Sequence, residues 1–192
     1  MGKIIEIRWH ARGGQGAKTA STLLAETCHA AGKYVQGFPE YGPERMGAPM
    51  RAFNRVGDDP ITIHAPVEHP DFVLVLDPTL LGSIDVSEGL RPGGTVLINT
   101  TLSPEEARKR LPLKEGKIAT VDASGISLAT IGRDIPNTPM MGALMRLSGI
   151  IPFDLFLETI RKDLLKKFHG RTNVVEGNLK AIKRAYEEVK SE

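Results

Sequence analysis

Apolar and polar side chains alternate along residues 3–10, KIIEIRWH, where Ile5, Ile7 and Trp9 interleave with Glu6, Arg8 and His10. That period of two predicts a first strand. The period then lengthens. Over 15–31, Ala17, Ala20, Leu23, Leu24, Thr27 and Ala31 fall on one face at helical spacing. Gly32 is placed to end that helix in the left-handed conformation. YVQGF (34–38) predicts a short strand, and MRAFNRV (50–56) and ITIHAPV (61–67) predict two more, separated by the turn residues GDDP.

Three later segments have another character. DFVLVLD (71–77), TVLINT (95–100) and KIATVD (117–122) are continuous apolar runs, as expected of strands buried on both faces of a parallel sheet. Helical stretches lie between them. The clearest begins at SPEE, where Ser103 can cap, Pro104 takes the first helical position and Glu106 completes a capping box. Strand alternating with helix predicts the α/β class, with an open, mostly parallel Rossmann-like sheet flanked by helices.

The last third is helical. NTPMMGALMRLSG has Thr138 as a cap, Pro139 at the helix start and Gly149 as terminator, and PFDLFLETIRKDLLKKFHG runs from Pro152 to Gly170. In the final helix Val175, Leu179, Ile182, Tyr186 and Val189 form a single apolar stripe. The expected organisation is one domain over 1–192, with an α/β core over 1–135 and helices of 136–192 packed on it.

Composition narrows the chemistry. A chain of 192 residues buries roughly 70% of its unfolded surface and can sustain a core without staples. The net charge is only +2, and no basic stripe carries interleaved aromatics, which argues against nucleic acid. No apolar run reaches the roughly 18 residues of a membrane span, and the N-terminus lacks the features of a signal peptide. A cytoplasmic protein is expected. The single cysteine, Cys28, can neither form an internal disulfide nor ligate an iron–sulfur cluster alone. On an apolar helix face it reads as inert core. His29, His64, His69 and His169 show no metal-ligand spacing, and no nucleophile–base set is suggested. Any redox centre must come from elsewhere.

Between the first strand and first helix lies RGGQGA, comprising Arg12, Gly13, Gly14, Gln15, Gly16 and Ala17. A glycine turn leading into a helix N-terminus is how a phosphate cradle is built. The dinucleotide pattern G-x-G-x-x-G aligns only with Thr19 at its third glycine, and the ribose-binding acid expected after YVQGF is missing. No Walker pattern passes through these residues either. The loop therefore reads in two ways, as a cradle for a different phosphate or as a tight turn that binds nothing. Arg12 and Lys18 lean toward an anion.

A second loop, FPEYGPERMGAPMRAF (38–53), concentrates glycine, proline, Glu40, Glu44, Arg45 and Arg51 at the end of a strand. In an open α/β sheet it belongs beside the first loop at the ligand crevice. Arg45 is suited to a bidentate pair with phosphate or carboxylate, or it is a solvated loop charge. His10 either faces the crevice or packs. Asp77 and Asp122 close buried strands and are expected to cap the helices that follow. Asn99, Asn137 and Thr138 either line the same rim or bond locally.

EIRWHARGGQGAKTA, FPEYGPERMGAPMRAF and IPNTPMMGAL, in this order and over nearly the whole chain, resemble the gamma subunit of the 2-oxoacid:ferredoxin oxidoreductases, with the four-subunit pyruvate enzyme nearest. The resemblance implies a subunit of a complex that makes acyl-CoA and carbon dioxide from a 2-oxoacid, coenzyme A and oxidised ferredoxin. It implies alpha, beta and ferredoxin-like delta partners, which carry the thiamine diphosphate, magnesium and iron–sulfur clusters, and no cofactor bound by this chain alone. Coenzyme A would be a shared substrate, and the chain would also close over the neighbouring active site. Carried over by position, Arg12, Gly13, Gly14, Gln15 and Gly16 approach its pyrophosphate, with Glu44, Arg45, Met46 and Gly47 nearby. Two other readings stay open: a stand-alone nucleotide-binding dehydrogenase and a purely structural assembly subunit.

Overall fold

The computed structural model describes residues 2–40, 47–111, 113 and 115–192. Its sheet has the order β2-β3-β1-β4-β5-β6-β7. The parallel centre is β1 (Ile5–Arg12), β4 (Phe72–Val75), β5 (Thr95–Asn99) and β6 (Lys117–Val121). On one side β3 (Pro49–Gly57) runs antiparallel to β1, and β2 (Tyr34–Glu40) runs antiparallel to β3. The two-residue β7 (Lys190–Ser191) pairs antiparallel with β6. The three continuous apolar runs thus become β4, β5 and β6, buried on both faces because helices or loops cover each side.

Two apolar layers sandwich the sheet. On one face Ile7, Trp9, Leu74 and Leu97 meet α1 (Ala17–Ala30), α3 (Ala123–Ile131), α4 (Asn137–Ser148), α5 (Phe153–Lys167) and α6 (Thr172–Glu188). On the other, Val73, Val75, Val96, Ile98 and Ile118 meet Leu80, Val86, Ala107 of α2 (Pro104–Arg110) and Leu111 just past its end.

Helix ends follow local chemistry. Ser103 and Glu106 form the reciprocal capping box on α2, and Asp122 accepts from the Gly125 N–H to cap α3. α1 ends one residue earlier than its apolar pattern. Gly32, at φ 89°, lets its own N–H reach the His29 carbonyl and the Lys33 N–H reach that of Cys28. These paired bonds are a Schellman closure.

Two expectations need correction. ITIHAPV is not a strand: residues 61–67 are irregular and largely exposed. Both edges of β3 are already taken by β1 and β2, so the segment cannot pair back on the strand it follows. Its carbonyls are met by side chains instead, Ile61 and Ile63 by the Gln36 amide and Pro66 by Arg55. Nor does Thr138 cap α4 with Pro139 as its first residue: the helix begins two residues earlier, at Asn137 after Pro136. The Thr138 hydroxyl donates to Asn178 Oδ1 at 2.8 Å, tying α4 to α6. The α6 stripe is buried at Val175, Leu179 and Ile182, with Tyr186 half-buried against Phe153 and Val189 beyond the helix end.

Candidate functional site

β1 and β4 are neighbours whose following segments cover opposite faces of the sheet, α1 on one and the 3-10 turn Pro78–Gly82 on the other. Their carboxyl ends therefore diverge. Ligand crevices in open α/β sheets form at such switch points. Here it is a polar cavity of about 240 Å³ lined by Gln15, Asp77, Asn99, Ser124, Asp134 and Pro136.

The glycine loop forms its rim. Gly14 and Gly16 both adopt left-handed backbone, at φ 98° and 84°. Gly16 is the N-cap of α1, so no side chain caps that helix, and its first turn holds no acid. Hydrogen bonds fix the turn. Gln15 Oε1 accepts from the Arg12 N–H at 2.7 Å, and the Gln15 amide donates to Asp77 Oδ2 at 2.8 Å. Arg12 lies across the mouth. Its guanidinium is 3.3 Å from Asp77 Oδ2 and donates to Thr79 Oγ1 and to the Gly47 carbonyl. The Gly13 N–H bonds the Ala48 carbonyl at 3.0 Å. The two loops are neighbours, as expected. Arg12, Gly13, Gly14, Gln15, Gly16 and Gly47 thus share one place, while Glu44, Arg45 and Met46 lie outside the described residues.

Other elements complete the rim. Asn99 bridges the strand ends, donating to the Leu76 carbonyl and Ser124 Oγ and accepting from the Ser124 N–H. Asn137 packs directly on the loop: a Cβ on Gly16 would stand 2.6 Å from its Nδ2. The start of α4, like that of α1, has neither a side-chain cap bond nor an acid in its first turn. Two helix N-termini thus meet at the crevice, but only α1 offers first-turn amides that no side chain caps: in α4 the Thr138 N–H donates to Asn137 Oδ1 and Pro139 has no N–H. Asp77 also caps its own 3-10 turn through Thr79. Burial pushes its carboxyl up, but bonds from Thr79 and Gln15 and the Arg12 charge outweigh that and hold it below the usual carboxylate range. Thr79, Ser124 and Asp134 were not singled out by the sequence reading, although Asp-Pro-Thr after a buried strand is the signature of such a side-chain-closed turn.

His10 does not face the crevice. It is 3% exposed, on the opposite sheet face beneath the chain of residues 85–88. Its Nε2 accepts from Arg8 Nε at 3.1 Å, so the ring proton is on Nδ1, which has no partner among the described residues. Burial, then the charges of Arg8 and Arg51, push its pKa down to about 3 against a small opposing pull from Asp85. The unfolded chain therefore takes up a proton below about pH 6.5 that the folded chain refuses, and stability falls as pH drops toward 3. Between about pH 7 and about pH 5 this costs about 2 kcal/mol. Denaturant unfolding at the two pH values is expected to show that loss, and His10→Gln to reduce it. Cys28 is inert for the same reason: burial pushes its thiol up to about 12.

Among the described residues no group of three or more His, Cys, Asp or Glu is placed to hold a metal ion, and no helix is long and apolar enough to cross a membrane. The sequence of residues 6–188 matches the model of the pyruvate ferredoxin/flavodoxin oxidoreductase family. The chain belongs to that family.

Members of the pyruvate ferredoxin/flavodoxin oxidoreductase family resemble it end to end. The chain is 53% identical over 188 residues to the pyruvate synthase subunit PorC of Thermotoga maritima, covering 98% of this chain and 96% of that one. It is 45% identical to the common gamma subunit of the pyruvate/ketoisovalerate oxidoreductases of Thermococcus kodakarensis, covering 95% and 96%. The crystal structure of the Thermotoga maritima pyruvate oxidoreductase subunit superposes with a TM-score of 0.85, over 98% of both chains at 52% identity. The fold also recurs, at 18% identity and a TM-score of 0.74, in a 2-oxoglutarate:ferredoxin oxidoreductase from Magnetococcus marinus solved with 2-oxoglutarate, coenzyme A and succinyl-CoA. That match covers 96% of this chain and 31% of the other. The chain is accordingly a gamma-type subunit of a pyruvate:ferredoxin oxidoreductase, an enzyme of several chains.

Proposed function

We propose that this subunit, acting as one domain, holds coenzyme A for the acyl-transfer half of the reaction and closes over the thiamine site of a neighbouring chain. The observation that carries the reading is the left-handed Gly14–Gly16 turn, which presents the uncapped start of α1 at a switch-point crevice beside Arg12. Helix N-termini of this kind favour phosphate. Arg12 adds a charge-assisted donor, already oriented by Asp77 and Thr79, so little side-chain entropy is lost when a ligand arrives. Gly13, Gln15 and Gly47 shape the turn around the pyrophosphate, and Glu44, Arg45 and Met46 belong to the same loop pair by sequence.

The cytoplasmic alpha, beta and ferredoxin-like delta chains supply thiamine diphosphate, magnesium and iron–sulfur clusters in this reading. This subunit's contribution is placement. Holding the thiol carrier in register with the acyl group removes up to about 7–11 kcal/mol of barrier at the limit. The presence of coenzyme A in a protein of the same fold agrees with this role.

The dehydrogenase reading is weakened by a residue the sequence reading overlooked. Glu40 does close β2, but β3 separates that strand from β1, and both carboxylate oxygens of Glu40 are held by Arg51. Glu40 is therefore neither next to β1 nor free to grip a ribose. Arg12→Ala, assayed in the assembled complex, is expected to raise KM for coenzyme A about tenfold, the effect of roughly 1.4 kcal/mol, with KM for the 2-oxoacid unchanged. An unchanged coenzyme A KM with impaired subunit association would favour the assembly reading instead.

A further inference from the structure

The far edge of the sheet, beyond β6, is closed by very little. β6 has β5 on one side, and on the other, among the described residues, only the two-residue β7, with Thr120 opposite Lys190 and Ala119 opposite Ser191. β6 itself is core, since Ile118, Ala119, Thr120 and Val121 are all buried. The strand that covers it is not. Lys190 and Ser191 are exposed, so packing does not hold them in place.

Glu192 holds them. Its N–H donates to the Ile118 carbonyl at 3.2 Å, and its carboxylate accepts from the Ile118 N–H at 3.1 Å, which extends the ladder through a side chain. Both carboxylate oxygens also accept from the Arg108 guanidinium, a two-point pair that reaches the edge from α2. Arg108 is fixed in turn by the carbonyls of Leu113 and Gly116, in the segment that leads into β6. The two side chains are 34% and 24% exposed, so the pair is positioned but partly wetted. Exposed backbone held by such bonds opens far more readily than the buried strand beneath it.

What lies beneath is a template. An uncharged edge strand offers a row of N–H and C=O groups with which another chain can pair. Along β6 the only charge is Lys117, at its start. Antiparallel pairing of two copies about Ala119 would set Ile118 against Thr120 and Lys117 against Val121. No like charges would then meet, and apolar side chains would continue across the join.

We propose that β7 and Glu192 form a strap, latched by Arg108, that keeps β6 from pairing with the β6 of a second copy of this chain. The latch is a matter of assembly and does not depend on the coenzyme A reading. This subunit works in an enzyme of several chains, and edge-to-edge pairing of copies would compete with correct assembly.

The test is made on the intact complex, by hydrogen exchange and by sedimentation velocity over a range of concentrations. Glu192→Ala is expected to speed exchange at the Ile118 amide about tenfold or more. The same complexes are expected to associate in pairs as their concentration rises. Arg108→Glu is expected to act likewise, and adding Glu192→Arg to it to restore the original size, because the pair is then rebuilt in reverse. Glu192→Gln keeps an acceptor for the Ile118 N–H and loses the charge, so it is expected to be intermediate on both measures. It carries the test if the alanine variant does not assemble, and wild-type behaviour on both measures would then overturn the proposal. Unchanged exchange in Glu192→Ala overturns the latch. Faster exchange with no gain in size, or with a different protein bound, overturns the second copy as the partner that the strap excludes.

Discussion

Replacing Gly16 with alanine is expected to weaken coenzyme A binding by the assembled complex at least tenfold, or about 1.4 kcal/mol, while KM for the 2-oxoacid stays the same. Two physical effects converge at this position. Its φ of 84° lies in the left-handed region, which costs a side-chain-bearing residue about 1–2 kcal/mol. The new Cβ would also stand 2.6 Å from Asn137 Nδ2, closer than atoms can approach, so the Asn137 amide, the loop or the start of α4 must shift. Each of these shifts alters the glycine loop's packing at the crevice. Gly32→Ala supplies the control. It is left-handed too, at φ 89°, but a Cβ there meets nothing within 4 Å and it sits at the far end of α1. It is expected to carry the backbone cost without altering coenzyme A affinity.

The largest expected effect on stability is at Gly142, in the middle of α4. A Cβ there would lie 2.2 Å from the Ile182 carbonyl oxygen, and that neighbour is backbone, which cannot rotate away. The absence of a side chain is what lets α6 approach α4 this closely. Separating the two helices would also stretch the buried Thr138–Asn178 hydrogen bond. Gly142→Ala is expected to cost about 3 kcal/mol or more, at the upper end of overpacking effects. For a chain of this size that corresponds to a melting temperature lower by roughly 6–12 °C. Differential scanning calorimetry of the two chains checks it, and a change under about 1 kcal/mol would mean that the α4–α6 contact is softer than its geometry implies.

Much of the architecture is legible in the residues because burial on both faces leaves a strong mark. Val73–Leu76, Val96–Ile98 and Ile118–Val121 have no polar period, and only a covered parallel sheet accepts such runs. Ser103-Pro104-Glu105-Glu106 announces its own helix, since both bonds of the capping box are local. What depends on distant partners is harder to read. Ile61–Val67 alternates like a strand, yet a strand also needs a free ladder, and sequence does not reveal that β3 has none. The insertion of β3 between β2 and β1 is a matter of chain topology rather than pattern.

The site divides along the same line. The glycine turn and its neighbouring loop are visible because backbone conformation demands glycine there. Thr79 and Ser124 follow the ends of β4 and β6, and Asp134 lies between α3 and α4, so their place depends on how distant elements line up. His10 is instructive in the opposite sense. Its polar register on β1 suggests an open face, but residues 85–88 lie over that face and bury Arg8 and His10 together.

Contact between coenzyme A and the glycine loop of this subunit is open to direct measurement. Equilibrium titration of coenzyme A into the intact complex without 2-oxoacid, compared between wild type, Gly16→Ala and Gly32→Ala, measures that contact free of turnover. The dissociation constant is expected to be at least tenfold higher for Gly16→Ala and unchanged for Gly32→Ala. Equal affinity in all three complexes would contradict that contact.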